Sequence, residues 1–265
     1  MTPWNSEILE KSIQKSINVG MAGYAATGFQ VCSMMWLRTT MNYQFKNGGS
    51  TFDTIKLLYR EGGIPRFYRG VGFALINAPL SRFGDTASNM AVMSYYENSD
   101  SKLGIAQKTF MSSLIAGTWR LAIIPVDAMK SNMQVHGKDG LQVLKQNVKQ
   151  YGFRSLYNGS LASYSATVIG HFPWFYTYNF LQEKIGYRDS NNNLITFFRS
   201  GTIGFCSSAC SDIVSNSVRV MKIGKQTGDN KTYTQVVKQI VEKESIVGLF
   251  TRGLKTKLMI NGIQG

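Results

Sequence analysis

Pro125-Val-Asp127-Ala-Met-Lys130 lies at the end of an apolar run that starts near Ser112. A polar amphipathic segment follows it, and then Leu156-Tyr-Asn-Gly159. Two further segments share this layout. In the first, Arg38 falls where Lys130 does, and the closing stretch is Arg66-Phe-Tyr-Arg69-Gly70. In the third, Arg219 takes that place, and Leu249-Phe-Thr-Arg252-Gly253 closes the unit. The basic residues are about 92 and 89 positions apart, and the closing glycines about 89 and 94. Self-similarity at a fixed period decides architecture before any residue-level detail. Each unit reads as long helix, short amphipathic helix, long helix. This predicts one all-α body over 1–265, made of repeats at 1–99, 100–190 and 191–265. The third is incomplete, since about a dozen residues follow Gly253: either the sequence is shortened or the last helix is a stub.

Composition narrows the class. Charged residues make up 17% of the chain, while Gly, Met and aromatics are plentiful. That charge content is below the usual quarter of a globular domain. Small side chains with little charge suit helices packed in a membrane. The net charge of +14 admits three readings: nucleic-acid binding, positive loops on one side of a membrane, or a solvated basic surface. The basic residues sit mostly between and at the ends of the apolar stretches, which fits positive loops. Cys32, Cys206 and Cys210 lack disulfide or zinc spacing, and the last two read as small buried residues. The N-terminal stretch has neither signal-peptide nor transit-peptide character, so a membrane address is expected to be internal.

Residues 16–37 and 155–182 contain no Asp, Glu, Lys or Arg and are each long enough to cross a bilayer core. The other stretches are interrupted, by Arg82 and Asp85, by Arg120, and by Arg199 and Asp212. A helix with one face on lipid and one on a polar interior tolerates such residues. Arg82 and Asp85 are spaced to form a pair, whereas Arg120, in mid-span, requires a partner or water. Amphipathic pieces around Phe52–Tyr59, Leu141–Val148 and Val236–Val241 fit helices lying along a membrane surface. Turns are expected at 98–103 and 189–193. No nucleophile-base, metal-ligand or phosphate-loop arrangement is present, so the chain does not read as an enzyme.

Taken together, the three copies resemble the mitochondrial carrier family over essentially the whole chain. That family repeats a Pro-x-acid-x-x-base motif at the end of each odd helix and an aromatic-basic-Gly motif before each even one. The resemblance implies six tilted transmembrane helices with threefold pseudosymmetry around a central solute site in the mitochondrial inner membrane. It also implies alternating access, with a matrix gate made here by Arg38, Asp127, Lys130 and Arg219. By position, solute contacts would fall near Asn77, near Ala166, Thr167 and His171, and near Ile260. With Arg82 and Arg120 these are the candidate cavity residues. No cofactor is implied, although a bound phospholipid such as cardiolipin is compatible with the family.

The match is uneven. Ser33 and Met35 stand at the Pro and acid positions of the first copy, Val214 and Asn216 at those of the third. Three bases therefore face the single acid Asp127, which is expected to pair with Arg219. On the opposite side, Tyr178-Asn179-Phe-Leu-Gln182 carries amides in place of the family's acid and base. Two functions stay open. One is transport of a small anionic metabolite, with lipid and solute as partners. The other is a degenerate carrier fold kept as a structural subunit of an inner-membrane respiratory assembly, with protein partners.

Overall fold

Pro125 starts a helix rather than kinking the middle of one. A computed structural model describes residues 6–97, 104–185, 193–228 and 230–264, in which helices and turns account for the fold. Helix α4 (Ile105–Ala122) stops at Ile123, and α5 (Ile124–His136) carries Pro125 in its first turn. The chain bends by 69° at this break. A first-turn proline loses no hydrogen bond, because that amide has no intrahelical acceptor. With Ser33 and Val214 at the corresponding positions, α1 (Ser6–Asn47) and α8 (Asn193–Gln226) run unbroken for 42 and 34 residues.

The short amphipathic helices are α2 (Thr51–Phe67), α6 (Gly140–Tyr151) and α9 (Tyr233–Glu244). The even-numbered long helices of the three units are α3 (Val71–Glu97), α7 (Ser160–Ile185) and α11 (Leu254–Gln264). A five-residue helix, α10 (Val247–Thr251), joins α9 to α11. Helix α1 packs on α3, α3 on α4, α4 on α7, α7 on α8, and α11 on both α8 and α1. That order is a closed ring. The expected turns at 98–103 and 189–193 fall outside the described residues, except Asn193, which opens α8.

The ring is fastened by backbone contacts that repeat from unit to unit. Gly70, Gly159 and Gly253 all take positive φ, at 81°, 85° and 63°. A methyl on Gly70 would lie 3.2 Å from the Lys130 carbonyl, on Gly159 3.0 Å from that of Lys222, and on Gly253 3.2 Å from that of Met41. Each closing glycine thus presses on the odd helix of the next unit, and the third returns to the first. Two arginines add to this. Arg66 pairs with Glu61 at 2.8 Å and donates to the Gln134 and Val135 carbonyls at the end of α5. Arg252 pairs with Glu244 at 2.9 Å and donates to the Lys46 carbonyl at the end of α1. Both satisfy helix C-terminal carbonyls that lack an internal donor. At the remaining junction the Tyr233 hydroxyl accepts the Ala162 amide at 3.2 Å, and burial pushes that phenol's pKa up.

Burial is distributed as in a membrane protein with a polar interior. Among the described residues, buried Ser, Thr, Asn, Gln and charged residues outnumber buried apolar ones. Phe29, Phe172, Tyr176, Phe180, Phe197 and Phe198 face outward. A water-soluble bundle would show the reverse bias inside. An apolar cluster of Phe45, Val135, Val220, Ile223, Val236, Ile240 and Leu249 joins all three units where the odd helices end.

Two expectations are corrected. Among the described residues no single helix is long and apolar enough to cross a membrane on its own, including the stretch 155–182. Lack of charge is not hydrophobicity: α7 carries Ser160, Ser163, Ser165, Thr167, His171 and Asn179. The bent pair Ala106–Ala122 and Ile124–Tyr151 does reach that length and apolarity, despite Arg120. Cys210 is exposed and Cys206 half-buried, because the inner face of α8 is taken by Ser207, Ser211 and Asp212. In α2 the buried face is Thr51, Thr54 and Leu58, leaving Phe52 and Tyr59 outward.

The substitution Gly159→Ala forces an alanine into a left-handed conformation and against the Lys222 carbonyl. We expect a loss of about 1–2 kcal/mol or more of stability, read as a lower melting temperature in mild detergent. An unchanged melting temperature would show that the contact with α8 is slack.

Candidate functional site

At the centre of the ring the Asp127 carboxylate is buried and takes four donors. Lys130 Nζ and Asn77 Nδ2 reach Oδ1 at 2.5 and 3.1 Å. Lys222 Nζ and Gln226 Nε2 reach Oδ2 at 2.5 and 3.1 Å. One acid thereby ties α5 to α3 and α8. Lys222 replaces Arg219, the partner expected from the motif. It stands one helical turn further along α8, where the chain meets Gly159 and α5.

Arg219 turns back along its own helix. It pairs with Asp212 at 3.1 Å and donates to the Ser215 hydroxyl at 3.0 Å. Asp212 also accepts from Asn261 and faces Lys257 at 3.9 Å, both on α11. Arg82 and Asp85 do not pair as expected. Asp85 instead bonds Arg120 across the α3–α4 contact at 2.7 Å, meeting the mid-span arginine's need for a partner. Arg82 is exposed and lies with Arg38 within electrostatic reach of Lys257. Among the described residues neither Arg38 nor Arg82 has an ion pair.

A cavity of about 130 Å³ opens beside this network, lined by Arg120, Ser163, Ala166, Thr167, Gly170, His171, Ser211, Arg219 and Lys222. That volume holds roughly four waters or one small solute. Arg120, Thr167 and His171, candidate cavity residues, line it together with Arg219, a candidate gate residue. Asn77, Arg82 and Arg38 are not among its lining residues: Asn77 is spent on Asp127, and the two arginines lie toward α11. His171 Nδ1 is buried without a hydrogen-bond partner. Lys222, Ser163 and Ser211 were missed. Helical spacing from Arg219 and Thr167 places them on the same faces, the one signal that would have found them.

The missing acids have local explanations. Asn216 is fully buried, and its amide donates to the Phe250 and Arg252 carbonyls at 2.8 and 3.1 Å. A carboxylate there would point at two acceptors. Met35 is likewise buried, its sulfur facing the Gln134 amide at 3.6 Å, while Asn42 donates to Gln134 Oε1. On the opposite side Arg199 donates to Gln182 Oε1 at 3.0 Å, and Gln182 donates to the Tyr178 hydroxyl at 2.9 Å. Gln182 of that motif therefore clasps α7 to Arg199 of α8 through an amide oxygen rather than a carboxylate.

A sequence profile described as "Mitochondrial carrier protein" matches residues 9–99 and again 102–189. The chain belongs to the mitochondrial carrier family. Among similar carriers, Mitochondrial substrate carrier family protein D of Dictyostelium discoideum is 25% identical over 214 residues, covering 71% of this chain and 61% of the relative. Mitochondrial adenyl nucleotide antiporter SLC25A24-A of Xenopus laevis is 24% identical over 257 residues, covering 88% of this chain and 51% of the relative. Mitochondrial uncoupling protein 4C of Drosophila melanogaster is 28% identical over 119 residues, covering 40% and 35%. The matched region of this carrier thus spans less than two thirds of each relative. Carriers move solutes rather than transform them, and nothing in these relatives supports a role as a respiratory-complex subunit.

Two outcomes follow from the carrier's ionic network. Asp127→Asn leaves Lys130 and Lys222 without their counter-charge and should cost about 3–5 kcal/mol. Adding Lys222→Met should recover part of that loss in a double-mutant cycle; additive losses would show that the two are uncoupled. Asn216→Asp should destabilise by about 1–3 kcal/mol through the lost donor. A variant that melts at the wild-type temperature would contradict the assigned amide orientation.

Proposed function

We propose that the chain is a solute carrier of the mitochondrial inner membrane that moves a small anionic metabolite by alternating access. The observation that carries this reading is the cavity lining: Arg120, Arg219 and Lys222 all reach it, and the acid beside Lys222, Asp127, is shared with Lys130, which leaves a surplus positive charge there. Positive side chains around a cavity enclosed by a ring of helices attract anions. The hydroxyls of Ser163, Thr167 and Ser211 and the imidazole of His171 supply orienting hydrogen bonds, which fit a solute with oxygen acceptors.

In this reading the units span 1–99, 100–190 and 191–265, and the ends of α1, α5 and α8 form the gate nearest the matrix. Asp127 is the latch of that gate, with Lys130 and Lys222 as its bases; Arg38 and Arg219 complete the basic ring. Opening requires Lys222 to leave Asp127, so an anion entering beside Lys222 and Arg120 competes with the carboxylate for the same ammonium. Solute binding and latch release are coupled by that competition. The Gln182–Tyr178–Arg199 clasp serves the opposite side. It is neutral at Gln182 and therefore weaker than a charged gate.

Purified carrier in liposomes should exchange a labelled anionic metabolite, and Arg120→Glu or Lys222→Glu should reduce exchange at least tenfold. No exchange of any anion by folded protein, or full activity in the charge-reversed variants, would defeat the proposal.

A further inference from the structure

The carbonyls that end an odd helix need donors from outside it, and the three junctions of the ring supply them with unlike chemistry. Two use an arginine held by a glutamate. Arg66 lies four residues before Gly70 and Arg252 one residue before Gly253; their acids, Glu61 and Glu244, both stand nine residues before the closing glycine. Arg66 reaches the end of α5 and Arg252 the end of α1. In the second unit the same three positions before Gly159 hold Gln150, Ser155 and Asn158. The Ser155 hydroxyl donates to the nearby Gly152 carbonyl, and Asn158 meets the third unit at Asn230, 3.4 Å away on the surface. Both line a cavity of about 610 Å³, together with Tyr151, Arg154, Tyr157 and Asn230.

The end of α8 is served from α5 instead. Asn132 donates to the Gln226 carbonyl at 3.1 Å, and His136 Nε2 lies 2.9 Å from that of Thr227. These are single bonds, whereas a guanidinium group offers a charged fork of donors. Charge-assisted bonds are roughly twice as strong as neutral ones. The ionic contact across this junction is an exchangeable one, because Asp127 belongs to the second unit and Lys222 to the third. Lys222 also lines the interior cavity, so an anion seated there competes for it. The first unit meets Asp127 through the Asn77 amide, and the junctions on either side of that unit keep their arginines whether or not the interior is occupied.

Resting on the anion-carrier reading above, we propose that the ring parts on the Asp127 side along one seam, between the second and third units, while the junctions fastened by Arg66 and Arg252 stay closed. Once Lys222 leaves Asp127, that seam is held by Gln226, Asn132 and His136, by the packing of Gly159 on α8, and by the bond between Tyr233 and the Ala162 amide. Helices α8 and α9 then draw away from α5, α6 and the start of α7. The 610 Å³ cavity joins the interior as one wall of the mouth.

Two measurements on the full chain in liposomes, with Cys32, Cys206 and Cys210 replaced by serine, test the seam. Spin labels are attached in pairs at exposed positions of the short helices, through Lys56→Cys on α2, Lys149→Cys on α6 and Lys238→Cys on α9. Lys222→Gln frees the latch while leaving Asp127 its Lys130 partner. It should lengthen the α6–α9 distance by several ångströms and leave the α2–α6 and α2–α9 distances unchanged. All three distances lengthening together, or none, would overturn the seam. A disulfide across the seam, from Asn158→Cys with Asn230→Cys, should cut anion exchange at least tenfold and release it on reduction. One across the third-to-first junction, from Thr51→Cys with Thr256→Cys, whose hydroxyls meet at 2.8 Å, should leave at least half of the exchange. Equal inhibition by the two disulfides would also overturn the seam. No anion exchanged by the uncrosslinked protein, with the α6–α9 distance alone responding, would defeat the carrier reading and leave the seam standing.

Discussion

A carboxylate can stay ionised inside a ring of helices only if several donors replace its water, and Asp127 is where this fold meets that condition. Four donors from α3, α5 and α8 converge on its two oxygens. Removing the carboxylate leaves two ammonium groups uncompensated in a low-dielectric interior. The surrounding structure is consistent with keeping those donors in place. Gly159 lets the second closing segment settle on the Lys222 carbonyl, and Asn132 bonds the Gln226 carbonyl just beyond. Gln226 and Lys222 are thereby presented to the acid from a backbone fixed on two sides.

The remaining interior is built around the same scarcity of acids. Three carboxylates lie among the interior charges of α3, α5 and α8, and each faces at least one base. Asp85 holds Arg120, Asp127 holds two lysines, and Asp212 serves Arg219 while facing Lys257. Positions that would carry further acids in the family pattern hold Met35 and Asn216, whose side chains serve buried amide and carbonyl contacts instead. These contacts fasten neighbouring segments without charge. The basic surplus is consequently a structural property of the ring.

Much of this was legible before any coordinates. The period of the closing glycines gave the order of helices, and all three glycines adopt the conformation that only glycine takes easily. The unbroken run of α1 and α8, which carry Ser33 and Val214 in place of proline, against the bend at Pro125, was not anticipated. Pairing was harder to read. The motif's spacing points Asp127 at Arg219, but a side chain one turn away reaches the same acid once the backbone registers are set, and register is a tertiary property. The same holds for Asp85, whose neighbour three residues away loses to an arginine on another helix. Spacing along one helix constrains pairs within it; it is silent on pairs between helices. The uncharged stretch in α7 misled for a different reason, since hydroxyls and amides lower its apolarity without appearing in a count of charges.

The single break at Ile123 makes the three arms of the ring mechanically unlike. Two of them are continuous rods, so a displacement at one end is delivered undiminished to the other, as with a lever on a fixed pivot. The third has a joint between α4 and α5, which lets the lower piece carrying Asp127 swing while the upper piece carrying Arg120 stays seated. Movement at the inner mouth would then be led by one articulated arm against two stiff ones, a lopsided opening rather than an iris.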